Sequence, residues 1–282
     1  MNPNFANSVA AYPLDGRTGA VRFSAIPPEV LRALHAGEVA TINLVEYMAI
    51  DVRLLAPVVA GHIGLDPSDE RLTDTLAMLD AIKPLQRHNH VARALYDMAQ
   101  RHPQPDAVAT RLAQHPSDVA RCWAVFWLQC APADMAIQLQ RVRPFAADAH
   151  FGVREMAWSA VRDDVIAHLA DALALLQPWT LEADENLRRF ATEVTRPRGV
   201  WCAQIEVLKA EPWRVQALLE PLRADPSRYV QNSVANWLND ASKSQPLWVV
   251  ELCARWERES PTTETAYITR RALRTLRKAE QA

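Results

Sequence analysis

An internal repeat constrains this chain more than any other feature. Four segments carry Arg or Gln followed three residues later by a small apolar residue: Arg121 and Ala124, Arg154 and Ala157, Arg188 and Ala191, Gln231 and Val234. They lie 33, 34 and 43 residues apart. Each follows an acidic residue or Ser suited to cap a helix, and continues with apolar residues three and four apart. That pattern predicts paired helices stacked as a HEAT-like α-solenoid, an α-α superhelix. One amphipathic helix pair cannot hide its apolar stripe. A stack of pairs hides a continuous core and leaves a concave face lined by the second helix of each pair.

The remaining sequence agrees with an all-α fold. Glycine is rare, at 7 of 282 residues, and no period-two alternation is sustained. Prolines recur between segments, at Pro116, Pro178, Pro197, Pro226, Pro246 and Pro261. Proline has no N–H to donate, so it is expected at the borders of short helices. Within 39–59, Ile42, Val45, Ala49, Val52 and Val59 are spaced for buried helix faces. Residues 1–28 hold four prolines and two glycines with little periodicity, and read as an irregular arm. Residues 29–282 read as a single HEAT-like repeat domain.

Several classes are excluded. No run of 18 apolar residues occurs, so no membrane span or membrane partner is expected. The first sixteen residues lack a basic stretch followed by an apolar one, so a cytoplasmic protein is expected. Neither GxGxxG nor a P-loop is present. Cys122, Cys130, Cys202 and Cys253 are scattered, and His88 and His90 have no third ligand at useful spacing, so reduced thiols and no metal are expected.

The repeat alignment also picks out a polar face. The position after each Arg or Gln is Cys122, Glu155, Arg189 and Asn232. One turn later come Phe126, Ser159, Glu193 and Asn236, and a turn beyond, in the last three repeats, Arg162, Arg196 and Asn239. Residues at i, i+4 and i+7 share a helix face. Three consecutive repeats therefore present a contiguous polar floor. A solvated outer face is the plain alternative, but Arg and Asn with aromatic neighbours are directional groups that suit phosphates and base edges. The formal charge of −2 excludes a uniformly basic coat, yet the basic charge is concentrated late: residues 186–201 sum to +3 and 254–278 to +4, against −3 for the first 140.

At these residues the chain resembles a known family. HFGVREMAW (150–158), ENLRRFATEVTRPRGVW (185–201), YVQNSVANWLNDASKSQP (229–246) and NLVEYMAID (43–51) look like the AlkC-type bacterial DNA alkylation-repair glycosylases and, more distantly, the AlkD type. The resemblance runs from about residue 30 to 278. It implies a monofunctional enzyme, without metal or organic cofactor. Such an enzyme hydrolyses the N-glycosidic bond of cationic alkylated bases in duplex DNA without flipping the lesion into a deep pocket. The expected lesions are 3-methyladenine and, as alternatives, 3-methylcytosine or 7-methylguanine. A monomer is expected.

Carried onto this sequence, the resemblance makes Glu155 the catalytic carboxylate, with Phe151 four residues before it. Arg189 becomes a phosphate-gripping residue, with Arg188 beside it. The second lesion-clamping aromatic of the AlkD type falls on Asn236, so Trp158 or Trp201 is expected to supply that ring. Met156 stands where AlkC-type relatives commonly have Trp. Some relatives carry a C-terminal β-sandwich, which the resemblance here is expected to lack. Arg154, Arg196, Arg198, Asn232 and Lys243 complete the expected DNA-binding set.

The chemistry suits these residue types. A cationic base is already a good leaving group, and a carboxylate aimed at the sugar stabilises the oxocarbenium-like transition state. Other acids are weighed two ways. Glu46 is either a second carboxylate in the groove or a buried cap or ion pair. Glu193 lies on the floor, and Asp240 with Lys243 is either a phosphate contact or a surface pair. Trp123, Trp127, Trp179, Trp213, Trp248 and Trp256 are expected in packing, and His150 as a cap. The alternative function is a non-catalytic HEAT-repeat scaffold that binds DNA or protein. Glu155 separates the two, because an acid on a phosphate-facing surface serves only the enzyme.

Overall fold

The computed structural model describes residues 16–131, 133–199 and 202–280, and among these every regular element is helical. Trp201 lies outside the described residues. Two compact units are present, one running to Trp127 and one from Leu128. The sequence carries no mark at this point, because α7 (Asp118–Cys130) runs through it without a proline.

The first unit contains α1 (Pro28–His35), α2 (Leu44–Ala49), α3 (Val52–Ile63), α4 (Glu70–Met78), α5 (Pro84–Ala99) and α6 (Pro105–Ala113). Its core is built on Leu34, Leu55, Ile63, Leu72, Leu95 and Leu112. The predicted apolar face over 39–59 divides into two helices at Ile50–Asp51, where the Asp51 carboxylate caps α3 by accepting from Arg53 N–H. Ile42 lies outside both and is exposed, so it contributes nothing to the core. The arm enters regular structure as a 3-10 turn at Phe23–Ala25.

The second unit holds α8 (Met135–Ala146), α9 (Phe151–Ala160), α10 (Arg162–Ala167), α11 (Leu169–Leu176), α12 (Glu185–Val194), α13 (Glu206–Ala210), α14 (Gln216–Leu219), α15 (Arg228–Ser242), α16 (Pro246–Glu259), α17 (Thr263–Ala272) and α18 (Arg274–Glu280). Helices α9, α12, α15 and α17 pack each against the next, while α8 backs α9 and α16 backs α15 and α17. Val153, Ala157, Leu187, Phe190, Ala191, Val230, Val234, Trp237 and Ile268 fill the space between them.

Helix starts follow the capping rules. Asp184 caps α12, Ser227 caps α15 and Thr262 caps α17, each accepting a backbone N–H of the first turn. Proline opens α1, α5, α6 and α16, but Pro57 and Pro144 sit inside α3 and α8, against the expectation for borders alone. Pro144 falls in the last turn, whereas Pro57 lies in the helix interior, where its missing N–H removes one intrahelical hydrogen bond. Trp213 is the tryptophan expected in packing that is instead well exposed.

The repeat-defining column has a structural meaning. Arg154 Nη1 donates to the carbonyls of Asp148 and Ala149, and Arg188 Nη1 to those of Glu182 and Ala183. Arg121 does the same to His115 and Pro116 in the first unit, and Gln231 Nε2 donates to Asp225 O. In every case the side chain reaches back five or six residues and closes the loop that enters its own helix. These carbonyls precede the helix and have no intrahelical donor, so the clamp satisfies them.

Candidate nucleic-acid interface

The residue after each clamp points elsewhere. Glu155 of α9, Arg189 of α12 and Asn232 of α15 stand on the faces that look across the helix row, with Glu193, Arg196 and Asn236 a turn or two later. They build a ladder of alternating charge. Arg189 Nη2 donates to Glu155 Oε1 at 2.6 Å and lies 3.5 Å from Glu193 Oε1. Arg196 Nη1 meets Glu193 Oε2 at 3.2 Å, and its Nη2 meets Asp240 Oδ2 at 2.7 Å. Lys243 closes the ladder on Asp240 Oδ1 at 3.2 Å.

Burial alone would lower the pKa of Arg189, but Glu193, Glu155 and Tyr229 together hold it above its ordinary value. Arg196 is raised against its own burial by Glu193 and Asp240. The Arg189 guanidinium also lies 4.3 Å from the Tyr229 ring centroid, a cation–π contact that fixes its plane.

Glu155, Trp158, Arg189, Glu193, Arg196, Gly199 and Asn236 line one open cavity of about 310 Å³. Glu155 is the ladder's exposed acidic end, as Lys243 is its exposed basic end. Its side chain is 41% accessible, and Trp158 Nε1 donates to its Oε2 at 3.0 Å. Two donors thus hold the carboxylate at known oxygens while one face stays open to the cavity. Gly199 is needed for close approach: a Cβ there would fall 1.9 Å from Cys202 Sγ.

The expected site residues separate accordingly. Phe151, at 42% exposure, is not among the cavity-lining residues; it stands at the first position of α9 with its ring tilted over His150. Trp158 is the aromatic ring beside Glu155. Arg154 and Arg188, expected at DNA, are loop clamps, and Arg188 further makes a two-point pair with Asp225. Arg162, expected on the polar floor, is buried: it donates to the carbonyls of Ala203, Val194 and Arg196, gathering the chain after α12. Asn239 is buried too, donating to Ala272 O. Arg162 follows the end of α9 and opens α10, so it leaves that helix's polar face, and Asn239 reaches across to the end of α17. Glu193 is buried beneath the floor, where its Oε1 accepts from Ser233.

Arg198 donates to Ser244 Oγ, and Asn232 accepts from the Tyr267 hydroxyl. Glu46 is buried in the first unit against Arg17. Its two readings thus resolve to the ion pair. Tyr229, Tyr267 and Arg274, none of them singled out by sequence, also belong to this surface. The repeat columns hide Tyr229, since its equivalents are Gly152 and Asn186. Among the described residues no three His, Cys, Asp or Glu side chains gather into a metal-binding group, and no helix is long and apolar enough to cross a membrane.

Fold and cleft define a HEAT-like helical-repeat protein with a charged groove. Its fold is that of the AlkC- and AlkD-type proteins. The alkylpurine DNA glycosylase AlkC of Pseudomonas fluorescens, solved bound to DNA containing an abasic-site analogue, superposes with a TM-score of 0.67 at 26% identity, over 82% of this chain and 64% of that one. AlkD2 of Streptococcus mutans matches with a TM-score of 0.54 at 23% identity, over 72% of this chain and 97% of that one. The uncharacterised protein YhaZ of Bacillus subtilis is 39% identical over 119 residues, 42% of this chain. The chain thus spans a third of the length of that curated relative. No family model matches the chain.

Proposed function

We propose that the protein is a DNA glycosylase that hydrolyses the N-glycosidic bond of cationic alkylated bases in duplex DNA. The observation that carries this reading is Glu155, gripped by Arg189 and Trp158 at the rim of an open cavity. The likeness to AlkC supports it. Arg189 divides its charge between Glu155 and Glu193, and the six ladder charges sum to zero, so Glu155 keeps its negative potential on the cavity side.

An N3- or N7-alkylated purine leaves as a neutral base, so no strong acid is needed. The open face of Glu155 stabilises positive charge developing on the deoxyribose and orients the attacking water. At about 4 Å and an effective dielectric of about 20, opposite unit charges attract by about 4 kcal/mol. If half is specific to the transition state, the gain is roughly 30-fold in rate. Trp158, oriented by its bond to the same carboxylate, offers its ring to the cationic base for about 1–2 kcal/mol more. Asn236, which lines the same cavity, reads the strand.

The cavity is open, which favours attack on a stacked base, and the favoured lesion is 3-methyladenine, with 3-methylcytosine and 7-methylguanine as competitors. The enzyme acts as a monomer in the cytoplasm and makes no lyase cut. Incubating the full chain with methylated duplex and separating the released bases tests the reading. Free 3-methyladenine with intact strands is expected. Tight duplex binding with no base released overturns it in favour of a scaffold.

A further inference from the structure

A polyanion entering the groove meets arginines that already have acids. Arg189 lies between Glu155 and Glu193, Arg196 between Glu193 and Asp240, and Lys243 on Asp240. A second set of arginines stands beside them in a different condition. Arg228 opens α15, Arg270 and Arg271 end α17, and Arg274 opens α18. Among the described residues none of these four lies within ion-pair distance of a carboxylate.

Three of them surround one ring. The guanidinium of Arg228 lies 3.6 Å from the Tyr267 centroid, that of Arg271 5.4 Å and that of Arg270 5.6 Å. The Tyr267 hydroxyl donates to Asn232 Oδ1 at 2.8 Å, so the ring is anchored to α15. Arg274 joins this cluster to the cleft. Its Nη2 donates to Oδ1 of cavity-lining Asn236 at 3.0 Å, and its Nη1 donates to the Arg271 carbonyl at 2.7 Å. Arg271 Nε is buried without a hydrogen-bond partner, so its guanidinium still has donor capacity that the protein does not use.

The nearby acids do not relieve the crowding. Asp240, the acid acting on Arg274, is already shared by Arg196 and Lys243, and Glu264, beside Arg228, has its carboxylate on the Thr263 hydroxyl. Burial, then Arg271, lowers the Arg274 pKa in spite of Asp240. Guanidinium groups held in fixed planes with no acid of their own match phosphodiester oxygens, which accept two N–H bonds per group.

We infer that Arg271 and Arg274, with Arg228 braced on Tyr267, form a seat for backbone phosphates of duplex DNA at the lip of the cleft. The seat, and not the paired arginines of the floor, supplies the sequence-independent grip. The inference rests on the proposed function in taking DNA as the polyanion, and it holds the strand so that Asn236 and the Glu155 cavity face it.

The test is fluorescence anisotropy of the full chain with an undamaged labelled duplex, titrated in KCl from about 50 to 200 mM. Each lost phosphate contact flattens the slope of log K against log salt by about 0.9. Arg274→Gln, at an exposed position, is expected to flatten it by about one. Arg271→Gln with Arg274→Gln should flatten it by about two and weaken binding about tenfold or more at low salt. Lys at both positions should restore most of the slope, which a purely structural role would not do. Arg143→Gln, whose residue pairs with Glu182 on the α8 side, is the control and keeps the wild-type slope.

A double Gln variant with the wild-type slope, or a wild type whose binding ignores salt, overturns the seat. Base release from methylated duplex separates the two ideas. A wild type that releases no base while the slope falls as stated defeats the glycosylase reading and leaves the seat standing. Release with an unchanged slope does the reverse.

Discussion

Two glutamates, one in each compact unit, show how differently the same ion pair can be used. Glu46 and Glu155 each meet an arginine at 2.5–2.6 Å. Glu46 is 1% accessible, and both its oxygens are taken: Oε1 by Arg17 and Ala20 N–H, Oε2 by Ile42 N–H. Arg17 is equally enclosed and donates its second amino group to Ala40 O. The pair ties the arm to the start of α2. Glu155 is 41% accessible and keeps an open face. A carboxylate buried with both oxygens held by its own protein has nothing left for a substrate; one held at two points and open on a third side does.

The largest effect that sharpens this contrast is expected from Glu46→Gln. Removing one partner of a buried pair strands Arg17 and should cost about 3–5 kcal/mol in urea denaturation, with activity per folded molecule unchanged. Loss of base release without loss of stability would erase the distinction.

Acid should act next, and on the unit of Glu46. Burial brings His88 down to about 4, and burial with His62 and Arg121 brings His115 to about 4. Ser117 N–H donates to His115 Nδ1, so its Nε2 carries the proton given to His62 Nδ1 at 3.1 Å. His88 Nδ1 accepts from Trp123 Nε1. Both imidazoles titrate lower folded than unfolded, so the unfolded chain binds protons the folded one refuses. Stability is full above about pH 6.5 and falls as the pH drops toward 4, by roughly 1–3 kcal/mol per histidine. Thermal melts at pH 7 and pH 4.5 read this, and His115→Asn should flatten the difference.

Glu155→Gln comes third. Base release should fall about 30-fold, some 2 kcal/mol of barrier, while stability shifts by less than about 1 kcal/mol because the pair is half-exposed. Unchanged release under single-turnover conditions removes Glu155 from the chemistry. The smallest effect is expected for Lys243→Ala, under about 0.5 kcal/mol in stability, since Lys243 is the solvated end of the ladder and Asp240 keeps Arg196. A larger loss would make the ladder one cooperative unit.

Much of the fold was legible in the sequence, because the features that define it are local. Helix caps at Asp184, Ser227 and Thr262, prolines at first turns, and apolar spacing all act within a few residues. The repeat column at Arg121, Arg154, Arg188 and Gln231 was legible as a column, but its chemistry was not. An arginine that grips its own loop and one that grips phosphate have the same sequence signature. The same limit applies to Arg162 and Asn239, which share a polar face with Glu155 and Asn232 on a helical wheel yet turn into the next repeat.

By itself, then, the sequence determined that this chain is a helical repeat, where the capped repeat helices begin, and that Glu155, Arg189 and Asn236 fall on a common face. Tertiary structure alone decided which charges have partners. Pairing depends on groups 30 to 45 residues apart, such as Arg189 with Glu155, Arg196 with Asp240 and Arg274 with Asn236, and no local pattern encodes those distances. A charge's value to a ligand is set by what already neutralises it, and that is a property of the packed helices.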